Sequence, residues 1–112
     1  MKTRLVLIGV LSLWPACALP QTANKSMTAF VGGNELFKRC SRTGADLLFC
    51  QGYIAGIADT LELTAEICLP QNSDLRQSSD VVTNYLRGHP ETRHRAAASE
   101  AADALKQAFP CK

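Results

Sequence analysis

The spacing of apolar residues beyond residue 33 is helical, and the clearest repeat lies between Asp46 and Glu66. In this segment apolar residues follow one another three or four positions apart, which places them on one face of a helix. The residues on this face are Leu47, Cys50, Ile54, Ile57, Leu61, Ala65 and Cys68. We therefore predict a long helix that is capped by Asp46 and ends at about Glu66.

Three shorter segments show the same spacing. They cover about residues 34–40, 74–87 and 90–109. Asn34 and Asp74 are good N-caps. Gly88 suits the end of the third helix, and Pro90 suits the first turn of the fourth. No segment alternates convincingly as a strand does, and short connections make neighbouring helices antiparallel. The pattern predicts a small all-α, up-down-up-down four-helix bundle.

The N-terminus has the three regions of a signal peptide. A basic head is followed by an apolar run that ends at Trp14 and is too short to span a bilayer, which takes about 20 residues. Ala16, Cys17 and Ala18 then fit the site of a signal peptidase. We predict cleavage after Ala18. A buried N-terminal helix and a lipoprotein site at Cys17 fit this order of regions less well.

The predicted cleavage divides the chain into three parts. Residues 1–18 are the signal peptide, residues 19–33 are a flexible leader rich in Gln, Thr, Ser and Gly, and residues 34–112 form one helical domain. With no second apolar span, the processed protein is expected to be soluble and to have no contact with a membrane. A signal peptide of this kind indicates the periplasm of a Gram-negative bacterium.

Loss of the signal peptide changes both the charge and the cysteine count. The chain has twelve lysines and arginines and ten acidic residues. Without Lys2 and Arg4, ten basic residues balance ten acidic ones, so the charge gives no reason to expect a nucleic acid as a partner. Without Cys17, four cysteines remain, and an even number in a small exported chain predicts disulfides.

The predicted bundle decides which cysteines pair. Cys50 and Cys68 share a helix face but lie about 27 Å apart along its axis, whereas the Cα atoms of a disulfide lie within about 7 Å. In an up-down-up-down order Cys40 lies at the same end as Cys50, and Cys111 at the same end as Cys68. We therefore predict the disulfides Cys40–Cys50 and Cys68–Cys111. The second should stabilise the fold by roughly 4 kcal/mol on a chain-entropy model.

Two glycines, Gly52 and Gly56, lie in the middle of the long helix, each at a cost of roughly 1 kcal/mol relative to alanine. They lie almost opposite Ile54, on a face that is also apolar. A helix that is apolar on two sides is covered on both, and glycines four residues apart allow another backbone to come close. We expect another helix of the bundle to cover this face. A homodimer seam and a ligand groove are the alternatives.

No motif for catalysis or for a cofactor is present. The chain has no nucleophile elbow, no phosphate-binding loop and no zinc-protease motif. The spacing of the cysteines and of His89 and His94 does not suit a metal site. Glu62 and Glu66, four residues apart, lie on the flank of the long helix, where solvated carboxylates are expected. These residues predict a protein that binds a partner and is not an enzyme.

Four segments occur in an order that is similar to one known family. They are "CQGYIAGIADTL" at 50–61, "ICLP" at 67–70, "VVTNYLRGHPE" at 81–91 and "AFPC" at 108–111. Together they resemble the Rap/Tai family of immunity proteins, the periplasmic partners of type VI secretion effectors. The similarity covers roughly residues 33–112. It implies a compact all-α fold, a periplasmic location and, often, a homodimer.

The resemblance also implies a mechanism. The toxins are peptidoglycan amidases of the papain-like cysteine peptidase type, and the immunity protein inserts a loop or helix into the toxin cleft and blocks substrate entry. The cysteines and the Gly-Tyr-Ile-x-Gly segment match the structural signature of the family, whereas toxin contacts lie on variable loops. As candidate contacts we choose Arg87, His89 and Glu91 in one turn, and Asn72 and Asp74 in another loop.

Two other functions compete with this interpretation. An HdeA-like acid-stress chaperone is also small, helical, periplasmic and disulfide-bonded, and its dimer would dissociate at about pH 2–3 as carboxylates become protonated. A diverged protein that binds another partner in the periplasm is the second alternative. An enzyme would need a cleft with a perturbed nucleophile or base, and the sequence supplies none.

Overall fold

A computed structural model describes residues 29–112, so the predicted signal peptide and most of the predicted leader lie outside the described residues. The described part of the chain contains four helices and no strand. They are α1 (Gly33–Cys40), α2 (Ala45–Leu63), α3 (Leu75–Gly88) and α4 (Ala97–Ala108). The prediction of a small, disulfide-stapled all-α bundle is confirmed. No helix in residues 29–112 has the length and apolar character needed to cross a membrane.

The core lies between the four helices, each of which contacts the other three. Removal of apolar surface from water contributes about 25 cal/mol per Å² to stability. The largest fully buried apolar side chains are Leu36, Ile54, Ile67, Val82, Leu86 and Leu105. Helix α4 adds Ala97, Ala101 and Ala104, which are buried and small. The predicted core face of α2 is confirmed by the burial of Cys50, Ile54 and Leu61.

Both predicted disulfides are present. Cys40–Cys50 joins the last residue of α1 to α2, with the Cα atoms 5.1 Å apart. Cys68–Cys111 joins the segment after α2 to the end of the chain, with the Cα atoms 4.9 Å apart. Next to it the N–H of Cys68 donates to the carbonyl of Phe109 at 2.9 Å. The two bridges therefore fasten different parts of the bundle.

Helix α2 begins earlier than predicted because its N-cap is Gly44, two residues before the predicted cap Asp46. Gly44 has φ +68, a conformation that favours glycine. Asp46 lies in the first turn and accepts hydrogen bonds from Arg39 at 3.3 Å and Arg42 at 3.2 Å. Its carboxylate thus links α2 to the end of α1 and to the connection between them.

The end of α2 also differs from the prediction. Ala65 has φ +56, and the N–H of Glu66 donates to the carbonyl of Leu61 at 2.8 Å. This left-handed ending satisfies carbonyls that the last turn would otherwise leave free. The helix therefore stops at Leu63, and Ala65 and Cys68, which were predicted on its core face, lie beyond it.

Helix α3 agrees well with its prediction. Asp74 is its N-cap, and its carboxylate accepts a hydrogen bond from the N–H of Gln77 at 2.7 Å. Gly88, predicted as the cap at the other end, is the last helical residue, and His89 is the C-cap.

The largest difference from the prediction concerns the start of α4. Pro90 lies in a run of turns, and the helix begins only at Ala97. In a continuous helix the N–H of Ala97 would donate to the carbonyl of Arg93. It donates instead to the carbonyl of Val31 at 2.9 Å, and Arg93 accepts from the N–H of Asn34 at 2.7 Å. Backbone hydrogen bonds to the start of α1 therefore replace the helical ones.

The start of α1 is correspondingly different from the prediction. Its N-cap is Gly32, not Asn34, and Gly32 forms an isolated bridge with Ala96. The last residues of the predicted leader thus take part in the fold. A Cβ atom on Gly33 would lie 2.7 Å from the carbonyl oxygen of Arg93, so this position requires glycine.

Candidate partner-binding surface

The connection between α3 and α4, residues 89–96, brings together three of the predicted contact residues. Arg87 lies in the last turn of α3, where its guanidinium donates to the side-chain oxygen of Asn84. His89 follows, with its ring stacked on that of Tyr85 at 4.1 Å between centroids and its Nδ1 2.8 Å from the Tyr85 carbonyl oxygen. Glu91 is exposed. The three residues therefore lie close together in the chain, at and just beyond the C-terminal end of α3.

Below this connection lies a buried carboxylate, that of Glu100 in α4, with no exposed surface. The hydroxyl of Thr92 donates to its Oε2 at 2.7 Å, and the Arg95 guanidinium lies 3.1 Å from its Oε1. An unpaired buried carboxylate is strongly unfavourable. The connection is therefore held in the conformation that supplies these two partners.

Glu100 also affects a neighbouring phenol. Desolvation, followed by the negative charges of Glu100 and Asp103, raises the pKa of Tyr85 above its ordinary value. Tyr85 carries the ring on which His89 stacks.

Helix α1 holds the connection from the other side. The Arg93 guanidinium lies 4.4 Å from the ring centroid of Phe37, a cation–π contact. The N–H groups of Gly33 and Asn34 donate to the carbonyls of Arg95 and Arg93 at 2.9 and 2.7 Å. The connection is thus fixed by α1 and by α4, although it has no regular secondary structure.

The other two predicted contact residues, Asn72 and Asp74, lie elsewhere. Both are exposed in the connection between α2 and α3. Helix α3 has 14 residues, so its two ends are about 20 Å apart. The structure therefore does not join the two predicted loops into one surface. Asp74, moreover, uses its carboxylate to cap α3.

The outer face of α2 is a second candidate surface. Gly52 and Gly56 are exposed there, and a Cβ atom on either would meet nothing within 4 Å. On the same face Leu48 is 70% exposed and Leu63 is 89% exposed. Within residues 29–112 no helix covers this face, so the expectation that another helix of the bundle packs there is wrong. Exposed apolar patches often mark interaction sites, and the dimer interpretation stays a prediction.

Sequence reasoning did not single out Glu100 or Gly33. A glutamate in an alanine-rich helix is usually exposed to solvent, so nothing in the pattern marked Glu100 as buried. The glycine pair at Gly32 and Gly33 was a usable signal for a close backbone contact, but it lay in the segment assigned to the leader.

Comparison with known proteins gives one match. A family model described as Rap1a immunity proteins matches residues 32–111. The match begins at the N-cap of α1, includes all four helices and ends at the second cysteine of the Cys68–Cys111 disulfide. No curated protein and no solved structure matches the chain. Because the family model spans most of the sequence and the whole bundle, the chain belongs to the family of Rap1a immunity proteins.

Proposed function

We propose that this protein is a periplasmic immunity protein that binds a peptidoglycan amidase effector of a type VI secretion system, blocks its active-site cleft and catalyses no reaction itself. The family match supports immunity against a secreted effector.

The observation that carries this proposal is the anchoring of residues 89–96. A segment that fills a cleft loses less entropy on binding when it is already fixed in its bound shape. Here the segment is fixed by the Thr92–Glu100 hydrogen bond and by backbone bonds to α1. Glu91 and His94 remain exposed on it and are available to a partner.

The test compares the two predicted loops. Each peptidoglycan amidase encoded in the same genome is purified, and its hydrolysis of purified peptidoglycan is measured with increasing amounts of this protein. One amidase should be inhibited. Glu91→Lys should weaken that inhibition about tenfold or more, because a contact at the centre of an interface contributes roughly 1–2 kcal/mol or more. Asn72→Lys, the control at the opposite end of α3, should change it less than twofold.

Two results would contradict the proposal. If no amidase is inhibited, the assigned target is wrong. If Asn72→Lys reduces inhibition and Glu91→Lys does not, the α2–α3 connection enters the cleft and the α3–α4 connection does not.

The periplasmic location is tested on the processed protein. The mature chain, isolated from a periplasmic extract, should begin at Leu19 when its N-terminus is sequenced. Recovery of the chain with residues 1–18 still attached, in the cytoplasmic fraction, would contradict it.

The homodimer is proposed on the outer face of α2. Leu48 and Leu63 are equally far from a point between Ala55 and Gly56. In an antiparallel pair of α2 helices with a two-fold axis at that point, Leu48 of one copy lies opposite Leu63 of the other. The exposed glycines near the axis allow the two helices to approach closely.

Sedimentation velocity at several concentrations tests the dimer at neutral pH and at about pH 3. The comparison of the two pH values also distinguishes an immunity-protein dimer from an acid-stress chaperone. A dimer that persists in acid supports the seam. Dissociation in acid, together with protection of an unfolded client protein from aggregation, favours a chaperone. A monomer at all concentrations rules the seam out.

A further inference from the structure

A cleft of about 410 Å³ lies between the α1–α2 connection and α3. One half of the Cys40–Cys50 disulfide lines it, and the rest of its lining is largely polar. Its charged side chains are Arg42, Arg76, Asp80 and Arg87, which give the cleft a net charge of +2. The family match and the proposed function assign no role to this cleft.

Two of its arginines are available to a ligand. Arg42 is paired with Asp46 at 3.2 Å. Within residues 29–112 neither Arg76 nor Arg87 forms an ion pair with a carboxylate. A guanidinium has five N–H donors and accepts none, so both side chains have donors left for an anionic group. Arg87 uses one of them on Asn84.

The neighbouring hydroxyls do not supply further donors. Ser79 donates its hydroxyl hydrogen to the carbonyl of Leu75 at 2.8 Å, and Thr83 donates to the carbonyl of Ser79 at 2.7 Å. A ligand in the cleft therefore finds its cationic donors at Arg76 and Arg87. Between them Asp80 repels a negative charge.

The spacing of the two arginines selects the size of the ligand. They are eleven residues apart on one face of α3, which is about 16 Å along the helix axis. Because the two side chains start from Cα atoms this far apart, a ligand with two separated anionic groups matches them better than a single carboxylate or phosphate does. An extended peptide of about five or six residues spans that distance, because each residue adds about 3.3 Å.

We propose that this cleft binds a short acidic peptide segment of a protein partner, with one carboxylate on Arg76, another on Arg87 and uncharged residues beside Asp80. That the partner is the effector rests on the proposed function. A nucleic acid fits less well, since its binding depends on a large excess of positive charge and the chain without residues 1–18 has ten basic and ten acidic residues.

The test uses the processed full chain with its disulfides intact and the peptide Glu-Ser-Gly-Gly-Ser-Glu. Binding is followed by the amide chemical shifts of the ¹⁵N-labelled protein. The peptide should shift amides along α3 from Arg76 to Arg87 in a saturable way. The same peptide with both glutamates replaced by glutamine should bind at least about fivefold more weakly, since the charge pairs are then absent.

Three variants complete the test. The double variant Arg76→Gln/Arg87→Gln should bind the acidic peptide about tenfold more weakly, because two exposed charge pairs are lost. Lys38→Gln removes a charge from the exposed face of α1, outside the cleft, and should change the affinity less than twofold. Asp80→Asn should raise the affinity for the acidic peptide, because it removes the negative charge between the two arginines. Circular dichroism should show that all of them keep the helical content of the wild type.

Several outcomes would overturn the inference. They are the absence of saturable shifts, equal binding of the glutamine peptide, and equal effects of the double variant and Lys38→Gln. Tighter binding of a thymidine hexanucleotide than of the acidic peptide would assign the cleft to nucleic acid.

The amidase assay separates this inference from the proposed function. If Arg76→Gln/Arg87→Gln loses the peptide but inhibits an amidase as strongly as the wild type, the effector is not the occupant. If the wild-type protein binds the peptide and inhibits no amidase, the cleft is supported and the proposed function fails.

Discussion

The two faces of α2 have similar apolar sequences but different surroundings. On the inner face Cys50 and Ile54 are fully buried by the other helices. On the outer face Leu48 and Leu63 keep most of their surface exposed. Apolar residues on both sides of a helix therefore do not show that both sides are covered within the same chain.

The glycines of the chain also differ in their surroundings. Gly52 and Gly56 have space around them, and the close backbone contact expected of them occurs at Gly33, where the Arg93 carbonyl leaves no room for a Cβ atom. A glycine in a helix thus permits a close approach, but only the neighbouring element decides whether one takes place.

The inner face should give the largest effect on stability. Ile54→Ala removes a fully buried side chain and leaves a cavity, so the free energy of unfolding should fall by about 2–5 kcal/mol. Leu63→Ala, the control on the outer face, should change it by less than about 0.5 kcal/mol. Urea denaturation of the disulfide-bonded monomer measures both. Similar losses for the two variants would show that the two faces are equally covered.

Gly33→Ala should have the next largest effect. The new Cβ atom would lie 2.7 Å from the Arg93 carbonyl oxygen, so α1 and the 89–96 segment must move apart at a cost of about 1–3 kcal/mol. Hydrogen exchange at the amides of Asn34 and Ala97, which bond across this contact, should become faster than in the wild type. Unchanged exchange at these amides would mean that the contact does not fix the segment.

The helices could be predicted because each depends on information close in sequence, and the disulfides followed from the antiparallel order of those helices. The repeat through Cys50, Ile54 and Leu61 placed α2, and the rise per residue of a helix then excluded a bond between Cys50 and Cys68. Asp74 was recognisable as a cap because its hydrogen bond reaches only to Gln77. The helices required no knowledge of distant contacts, whereas the Cys68–Cys111 bridge, 43 residues apart in sequence, required the order of the helices.

The candidate site could be predicted only in part, because its shape depends on distant partners. Pro90 favoured a helix start locally, but the N–H of Ala97 bonds to Val31, far away in sequence. The burial of Glu100 likewise depends on where Thr92 and Arg95 fold back. Arg87 was singled out as a surface residue, whereas the cleft that it lines appears only once α3 lies against the end of α1.

On the outer face of α2, replacement of the glycines should increase stability. Gly52→Ala and Gly56→Ala should each raise the free energy of unfolding by about 0.5–1 kcal/mol, since alanine has the higher helix propensity and the new Cβ atoms meet nothing within 4 Å. The free energy of unfolding is measured by urea denaturation, at concentrations low enough to keep the protein monomeric. A loss of stability there would mean that another part of the chain covers this face.

The smallest effect on folding is expected at the end of the outer face. Leu63→Gln alters a side chain that is 89% exposed, so the stability of the monomer should change by less than about 0.5 kcal/mol. If the outer face is the dimer seam, the same variant should weaken association about tenfold, because it removes an apolar contact that is made twice in a two-fold pair. Sedimentation velocity measures the association constant. Glu62→Gln, an exposed neighbour on the flank of the helix, is the control and should leave it unchanged. An equal dimer population for both variants would place the seam elsewhere and leave the outer face of α2 without a second copy to cover it.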